Sequence, residues 1–554
     1  MLRLACYCYV AVAAMLAAVA KPVVLDWNIT YTTAKPDGKN ERRVIGINGQ
    51  WPPPVVYVDV GDTLTINAHN KLDEPTSLHT HGFFQNGTNY YDGAVGTTEC
   101  GIPPNGSYSY KMNVTQSGTF WIHSHYMAQY VDGLRTPLIS RPAKEHYEYD
   151  EEIVLMLEAW YNRESQDIHD QLLSTSEQVR LKPFLPVTLV NSQGGANTNA
   201  TKIRFMPGKK YRLRLLNVSG TGMIRFGIEH HMLDVIELDG IDSEIKTVPS
   251  IQLSAGQRAS VLVTAKDNVD YNYAYHADIY TDMQAGVERA ELPYSGVVEY
   301  APRAPLIAPL NMTNTTMTWD FFQDIDMVPI EKLPAPSVNK WIPLEVRTAI
   351  YDDRREHMGF NNRTYSPPLV PSLITARTTG YQGFFPDVYG YKSYPIILDH
   401  LEDVEVAIFN MDTNSHPFHI HGHAFFIIVR GTVDKNPKNR RESGPYPMRR
   451  DTITVPALSY AIVRFRADNP GIWSMHCHMQ FHNDQGLALT FVEAPFQVIN
   501  STDPLPDQML KNCAALGIPT SGNAMGRDGL DLANEPRGPY PLAGFGSDPK
   551  LVLH

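Results

Sequence analysis

Gly471-Ile-Trp-Ser-Met-His-Cys-His478, near the end of the chain, is the stretch that decides the fold, because a second copy of its pattern occurs as Gly118-Thr-Phe-Trp-Ile-His-Ser-His125. A Gly-Leu pair follows each copy at the same offset, at Gly133-Leu134 and at Gly486-Leu487. Landmarks that recur in one order with one spacing indicate an internal repeat. The first and last thirds of the chain are therefore predicted to be copies of one unit.

The repeat continues upstream, where His79-Thr-His-Gly82 matches His419-Ile-His-Gly422. The middle of the chain has related strand signals, such as Ala255-Gly-Gln-Arg258 leading into Val261-Leu-Val263, but no His-x-His pair. We interpret the middle segment as a third copy that binds no metal and serves as a spacer.

Alternating and β-branched runs between Gly, Pro and Asn turns dominate the chain, as in Val55–Val58 and Tyr211–Leu215. Such runs predict strands in antiparallel sandwiches. The predicted fold is all-β, with three consecutive Greek-key β-sandwich domains. The predicted segments are a signal peptide (1–20), domain 1 (21–145), domain 2 (146–300), a linker (301–343), domain 3 (344–500) and a C-terminal tail (501–554).

The composition is that of a globular protein, with 554 residues, 43% hydrophobic and 19% charged. The net charge is −12 and no Lys/Arg-rich block occurs, which argues against a nucleic-acid partner. Arg3, the apolar run Val10–Val19 and the small residues around Ala20 are typical of a cleaved secretory signal. The alternative is an uncleaved anchor, which the short apolar run disfavours.

Ten Asn-x-Ser/Thr sequons agree with export. We expect a secreted, N-glycosylated protein, soluble and monomeric, with no membrane anchor. The sequons are at Asn28, Asn86, Asn105, Asn113, Asn199, Asn217, Asn311, Asn314, Asn362 and Asn500.

Three of the five cysteines, Cys100, Cys477 and Cys513, remain after removal of the signal. An odd number in an exported protein leaves one thiol for another use, and the histidines beside Cys477 assign it to a metal. Cys100 and Cys513 are then free to form a disulfide that ties the tail to domain 1. The alternative, two unpaired thiols, is disfavoured in an oxidising compartment.

Ten of the twenty histidines lie in four short segments. One His-x-His pair on a strand is often only two polar groups on one face. Four pairs, two in each duplicated unit, indicate metal binding instead. The segments are His79-Thr-His81, His123-Ser-His125, His416-Pro-Phe-His419-Ile-His421 and His476-Cys-His478-Met-Gln-Phe-His482.

Cys477 points away from His476 and His478, because successive side chains on a strand alternate between faces. A thiolate combined with imidazoles in a strand-rich domain points to copper, and the partners that fit are His416 and His482. Leu487 then falls at the axial position, where an apolar side chain supplies no bond and raises the reduction potential. The strand would connect this site to a second metal site by a short covalent path.

Domain 1 provides an internal control for two separate sites. Thr76, Ser124 and Gln129 stand where domain 3 has His416, Cys477 and His482, so all three ligands of the single-metal site are absent together. The paired histidines are all retained. We therefore predict that the eight paired histidines form one cluster between domains 1 and 3.

These motifs resemble those of the multicopper oxidases, the family of laccases, fungal ferroxidases and ascorbate oxidases, from about Val24 to Phe496. The resemblance implies three cupredoxin domains and four copper ions. By resemblance, His416, Cys477 and His482 bind the type 1 copper, and His79 and His419 bind the type 2 copper. The type 3 pair takes His81, His123, His125, His421, His476 and His478.

The resemblance also implies that a reductant gives up single electrons at the type 1 copper. It implies further that O₂ is reduced to water at the cluster of three coppers, which are the type 2 copper and the type 3 pair. Four coppers store the four electrons that O₂ needs. Asp92 matches an acid of the family and is our candidate proton relay; the alternative is a turn aspartate before Gly93. Gln480 stands where some relatives have a second acid.

The sequence leaves the identity of the reductant open, and two enzyme classes compete. Asp412 matches a ferroxidase carboxylate near the type 1 copper, the alternative being a solvated loop residue, and Asp278 or Asp282 matches a second. The third falls on Lys182, whose ammonium group would repel Fe(II). Because ferroxidases of this branch are also anchored, we expect a laccase-like oxidase of phenols or related aromatics, whose electrons enter at the edge of His482. The alternative is a ferroxidase; a copper-binding electron carrier is disfavoured by the eight cluster histidines.

Overall fold

The computed structural model describes residues 21–182, 184–194, 201–280, 291–292, 294–307, 323–434 and 437–542. The predicted signal peptide, Asp282 and the sequons at Asn199, Asn311 and Asn314 lie outside these residues. The strands group into three consecutive units, each with two facing sheets, so the predicted all-β, three-domain sandwich fold is confirmed.

Domain 1 has sheets in the orders β2-β1-β4-β6 and β3-β8-β7-β5. Leu64 and Leu138, from the two sheets, share one buried core. The strands are β1 (Pro22–Ala34), β2 (Arg42–Ile47), β3 (Val56–Asp59), β4 (Thr63–Asn70), β5 (His79–His81), β6 (Ser107–Asn113), β7 (Gly118–His123) and β8 (Arg135–Arg141).

Domain 2 has sheets in the orders β11-β10-β9-β13-β18-β15-β16 and β12-β21-β19-β14-β17, with β20 and β22 paired to β19. Its strands are β9 (Glu151–Trp160), β10 (Val187–Val190), β11 (Gln193–Gly194), β12 (Lys202–Arg204), β13 (Lys210–Asn217), β14 (Met223–Ile228), β15 (Leu233–Leu238), β16 (Ile241–Val248), β17 (Ser250–Ser254), β18 (Arg258–Thr264), β19 (Asn272–Tyr280), β20 (Glu291–Leu292), β21 (Ser295–Glu299) and β22 (Leu306–Ile307).

Domain 3 has sheets in the orders β24-β23-β26-β32-β28-β29, with β30 on β28, and β25-β34-β33-β27-β31. Its strands are β23 (Lys340–Ile350), β24 (Glu356–Phe360), β25 (Pro395–Leu398), β26 (Asp403–Asn410), β27 (His416–Ile420), β28 (Phe425–Thr432), β29 (Arg441–Glu442), β30 (Arg449–Arg450), β31 (Thr452–Val455), β32 (Ser459–Arg466), β33 (Gly471–Cys477) and β34 (Ala488–Glu493).

The sheets are mixed, whereas the sequence pattern predicted purely antiparallel sandwiches. In each domain the first strand pairs in parallel with a later one: β1 with β4, β9 with β13, and β23 with β26. A parallel pair needs a crossover connection instead of a hairpin. Strand composition does not encode this direction, which explains why the pattern missed it.

Short helices connect the strands and form the tail. They are α1 (Ser165–Leu172), α2 (Glu177–Arg180), α3 (Ser372–Thr378), α4 (Gln480–Asp484), α5 (Pro495–Ile499) and α6 (Asp507–Ala515). Helix α6 brings Cys513 to Cys100, and the two form the predicted disulfide between tail and domain 1. Within the described ranges, no helix has both the length and the apolar character needed to cross a bilayer.

The side chain of Asn217, one of the ten sequon asparagines, is buried in the folded protein. Asn217 is only 1% exposed, and its side-chain amide donates to the carbonyls of Gly222 and Leu253. By contrast, Asn28, Asn86, Asn105, Asn113 and Asn500 are exposed.

Candidate metal centres

Three predicted ligands of the single-metal site converge in domain 3. Cys477 Sγ lies 3.6 Å from His416 Nδ1 and 3.9 Å from His482 Nδ1, and the two nitrogens are 3.1 Å apart. All three side chains are at most 4% exposed. Metal–nitrogen and metal–sulfur bonds of about 2.0–2.3 Å in a trigonal site separate the ligand atoms by roughly 3.5 Å. The triangle therefore fits one metal ion.

Strand β33 delivers the sulfur and helix α4 delivers His482 five residues later. Burial raises the pKa of the Cys477 thiol, so the thiolate needs a bound cation to form. Leu487, at the predicted axial position, is fully buried, and its carbonyl accepts the backbone N–H of Cys477 at 2.9 Å. Its effect on the reduction potential remains a prediction.

Domain 1 fills the corresponding position with hydrogen bonds. Thr76 Oγ1 and Ser124 Oγ donate to Gln129 Oε1 at 2.7 and 2.8 Å, and all three residues are buried. Gln129 also donates to Glu74 Oε1 and to the Pro75 carbonyl. A neutral, hydrogen-bonded triad thus replaces the metal triangle, as the joint loss of the three ligands predicts.

The eight paired histidines form one cluster between domains 1 and 3, in which His125 is half-buried and the other seven are buried. The strand registers repeat, because His79 pairs with His123 across β5 and β7, and His419 pairs with His476 across β27 and β33. Three close nitrogen–nitrogen contacts mark the cluster: His125 Nε2 to His476 Nε2 at 3.3 Å, His421 Nε2 to His476 Nε2 at 3.1 Å, and His81 Nδ1 to His478 Nε2 at 3.1 Å.

The imidazoles are prepared for metal binding by hydrogen bonds on their outer nitrogens. Nδ1 of His79, His123, His419 and His476 donates to a backbone carbonyl at 2.7–3.0 Å. The inner Nε2 atoms of His79, His123 and His419 are buried without a hydrogen-bond partner. Hydrogen bonds of this kind on Nδ1 fix the tautomer and leave a lone pair on Nε2 for a metal. The orphaned nitrogens therefore fit bound metal ions.

Burial and neighbouring histidines keep the cluster uncharged. Burial lowers the pKa of His125 to about 3, with His79 as a further cause, and burial lowers the pKa values of His81, His421 and His476 well below the usual range. Neutral imidazole is the form that coordinates metal. The geometry supports the predicted ligand sets, whose individual assignments remain predictions.

Asp92 lies against this cluster, as predicted for a relay acid. Its Oδ2 accepts from His421 Nδ1 at 2.8 Å, and its carbonyl accepts from His79 Nδ1 at 2.7 Å. Burial alone would raise the pKa of Asp92, but His421 and His79 lower it below the usual range. Asp92 is thus a fully buried carboxylate that contacts one histidine from domain 1 and one from domain 3.

Asp451, like Asp92, contacts one cluster histidine from domain 1 and one from domain 3, and it was not among the predicted site residues. Its Oδ1 lies 3.1 Å from His81 Nε2, and its carbonyl accepts from His419 Nδ1 at 2.9 Å. The bonded rings stack in both cases, His79 on His421 at 4.0 Å and His81 on His419 at 3.8 Å between centroids. Asp451 immediately precedes β31, next to Thr452.

The outer edge of the single-metal site is acidic. Asp412 Oδ2 lies 3.2 Å from His416 Nε2 and accepts from Thr348 Oγ1 at 2.6 Å. Burial raises the pKa of Glu356, the Arg180 guanidinium lowers it, and the charges of Asp412 and Glu177 raise it further. Glu356 therefore lies within electrostatic range of Asp412 and Glu177, and also of the cationic Arg180.

The other positions that the sequence analysis matched to acids of the family have surroundings different from those of Asp412. Asp278 is buried and is bound to Arg225 at 3.0 Å and to the backbone N–H of Tyr294, so it is not a surface carboxylate. Lys182 is exposed after helix α2. Gln480 donates to Asp484 Oδ1 at 2.8 Å, within its own helix.

Comparison with known proteins is consistent with this geometry. Family profiles described as multicopper oxidase match residues 28–145, 151–300 and 365–497. The chain belongs to the multicopper oxidase family. It is therefore a copper-dependent oxidoreductase that uses O₂ as electron acceptor, built from three cupredoxin-like domains.

Relatives of this multicopper oxidase carry names that refer to iron. The iron transport multicopper oxidase fetC of Epichloe festucae is 36% identical, over 95% of this chain and 86% of that protein. The iron multicopper oxidase fer1 of Mycosarcoma maydis is 37% identical, over 92% of this chain and 86% of that protein.

Solved structures agree with the fold. Fet3p, described as a multicopper oxidase that functions in iron import, superposes with a TM-score of 0.84 at 33% identity, over 91% of this chain and 96% of that one. The laccase from Botrytis aclada gives a TM-score of 0.76 at 28% identity, over 90% and 92%. The expectation of a laccase-like phenol oxidase is therefore wrong, because the iron oxidases match better than the laccases do.

Proposed function

We propose that this multicopper oxidase is a ferroxidase, which oxidises four Fe(II) to Fe(III) while one O₂ and four protons become two water molecules. The observation that carries the proposal is the Asp412 carboxylate, 3.2 Å from His416 Nε2. This carboxylate brings a negative charge into contact with an imidazole of the single-metal site. The names of the relatives, which refer to iron, support the same substrate.

The acidic edge suits iron as a substrate. Carboxylate oxygens are preferred ligands of hard cations. Because Coulomb attraction grows with charge, the carboxylates of Asp412, Glu356 and Glu177 favour Fe(III) over Fe(II) and so lower the potential of the bound iron. Lys182 supplies no carboxylate, and the proposal takes Glu177, five residues earlier and within electrostatic range of Glu356, as the third acid.

Four copper ions, when bound, would supply the one-electron redox steps and the O₂ chemistry. The chain provides the ligands and the connection between the sites: Cys477 lies in the triangle, while His476 and His478, its direct neighbours, belong to the histidine cluster. Electrons can therefore pass from one site to the other through a few covalent bonds. Asp92 holds His421 and is the proposed acceptor and donor of protons on the cluster side.

The proposal is tested by initial rates on Fe(II) and on a panel of phenols and naphthols, with O₂ uptake recorded in parallel. We expect a higher kcat/KM for Fe(II) than for every phenol, one O₂ consumed per four Fe(II), and four coppers per chain. A higher kcat/KM for any phenol would contradict the assignment of the substrate.

We further propose that the protein is secreted, with its signal removed before Lys21, and that glycans are attached at exposed sequons such as Asn28 and Asn86. Mass spectrometry of the protein from culture medium would test this. We expect Asn217 to be unmodified because its amide is buried and bonded.

A further inference from the structure

One guanidinium group in the middle domain connects all three domains. Arg258 is fully buried at the start of β18. Its Nη1 and Nη2 donate to Oδ1 and Oδ2 of Asp451 in domain 3, both at 2.7 Å, and its Nε donates to the carbonyl of Thr119 in domain 1 at 3.0 Å. The backbone N–H of Arg258 is fixed by Asp239 Oδ1 at 2.8 Å.

The carboxylate that Arg258 holds determines the orientation of His81. Because Asp451 Oδ1 lies 3.1 Å from His81 Nε2, the ring keeps its proton on Nε2 and turns Nδ1 towards the cluster, 3.1 Å from His478 Nε2. The other cluster histidines with a bonded outer nitrogen use Nδ1 for that bond. His81 is therefore the ring whose tautomer depends on a carboxylate at Nε2.

Asp451 is at most 3% exposed and needs a counter-charge, since an isolated buried carboxylate is strongly unfavourable. Arg258 supplies it in a bidentate pair, the geometry that fixes both distance and plane.

The residues before Arg258 contact the same cluster. Gly256 has φ +84°, and a Cβ at this position would lie 2.7 Å from ring atoms of His478. Gln257 donates from Nε2 to the Thr452 carbonyl at 3.0 Å, next to Asp451. Thus Gly256–Arg258 packs on one cluster imidazole and on the segment that orients another.

We propose that Arg258 is a positioning residue for the three-copper cluster, so the copper-free middle domain is part of the oxidase centre rather than a spacer. Arg258 acts through Asp451, which fixes the tautomer and plane of His81. This inference depends on the family and on the cluster geometry, and it is independent of whether the reductant is Fe(II).

The test is Arg258→Lys in the copper-loaded full-length protein. Lysine keeps the charge but cannot make the bidentate pair. We expect the blue absorption of the type 1 site to be unchanged. We expect copper affinity at the cluster to fall about 10–100-fold, as is usual when a residue that orients a metal ligand is lost. The type 2 signal in electron paramagnetic resonance should change as well, because Asp451 also accepts from Nδ1 of His419, which the resemblance assigns to the type 2 copper.

The matched control is Arg212→Lys, which alters another buried arginine of domain 2 that pairs with Glu237 at 2.6 Å and touches no cluster ligand. It should leave the type 2 signal unchanged. If Arg258→Lys gives no blue protein, Asp451→Asn replaces it, with the same expected loss at the cluster.

Two results would overturn the proposal. One is full cluster copper with an unchanged type 2 signal in the folded Arg258→Lys or Asp451→Asn protein. The other is an equal change in Arg212→Lys, which would show that any buried ion pair of the middle domain has the same effect.

Discussion

Asp412 Oδ2 lies 3.2 Å from Nε2 of His416, whose other nitrogen, Nδ1, lies 3.6 Å from Cys477 Sγ. One imidazole thus connects a carboxylate near the surface to the sulfur at the centre of the single-metal site. A cation bound at this carboxylate is only one side chain away from the site that takes its electron. Three of the predictions below follow from this arrangement, one from the buried acid Glu99 and one from the Cys100–Cys513 disulfide.

Asp412→Asn should lower kcat/KM for Fe(II) about tenfold or more, the factor that corresponds to roughly 1.4 kcal/mol. Asparagine keeps the size of the side chain but loses the charge that attracts the cation. Rates with an uncharged phenol should change much less. Asp26→Asn, on β1 of domain 1, serves as the control and should leave both rates unchanged; equal losses on Fe(II) and phenol would contradict a role in iron binding.

Glu356→Gln and Glu177→Gln should raise KM for Fe(II) with little change in kcat. We expect the effect of Glu356 to be larger because Glu177 is exposed and therefore screened by salt. Measurements at low and high ionic strength test this, since the Glu177 effect should diminish as salt is added. An unchanged KM in both variants would restrict the iron site to Asp412.

Glu99 should make stability depend on pH. Burial raises the pKa of Glu99 to about 8, and its Oε2 has no hydrogen-bond partner, while Oε1 accepts from Tyr110 at 3.0 Å. Because the folded state holds this proton more tightly than the unfolded state, the free energy of unfolding should decrease as pH rises from about 4.5 to about 8.

Glu99→Gln removes this ionisation. The variant should match the wild type near pH 4.5 and be more stable above pH 8, by a few kcal/mol at most, on the scale of ~1.4 kcal/mol per pKa unit. Denaturant unfolding at several pH values measures the difference. The exposed Glu442→Gln is the control, and a constant offset for Glu99→Gln at every pH would contradict the prediction.

The Cys100–Cys513 disulfide should stabilise the junction of tail and domain 1. Replacing both cysteines by serine should lower stability by about 2–5 kcal/mol, the usual cost of losing a native disulfide. Thermal unfolding checks this, with reductant-treated wild type as the comparison. The blue absorption at room temperature should persist, because neither cysteine contacts a copper ligand; loss of the blue colour would contradict that separation.

The sequence predicted the features that short-range residue patterns encode. His-x-His spacing and the flanked Cys477 predicted both metal groups, since a strand places alternate side chains on opposite faces. The loss of three ligands together at Thr76, Ser124 and Gln129 predicted that the groups are separate. The disulfide followed from counting cysteines.

Long-range contacts were not visible in the sequence. Arg258 and Asp451 are 193 residues apart and belong to different domains, so no local pattern predicts that they form an ion pair. Asn217 has a complete sequon, but its burial depends on packing around β13. Lys182 suggested a missing carboxylate, whereas Glu177, five residues away, lies within electrostatic range of Glu356.

The most direct test of the account is Cys477→Ser, measured by copper content and by Fe(II)-dependent O₂ uptake on the same sample. We predict the loss of the blue absorption and of Fe(II) oxidation, while the three cluster coppers and their type 2 signal remain. Normal Fe(II) oxidation by this variant would contradict the claim that electrons enter through Cys477 and reach the cluster through His476 and His478.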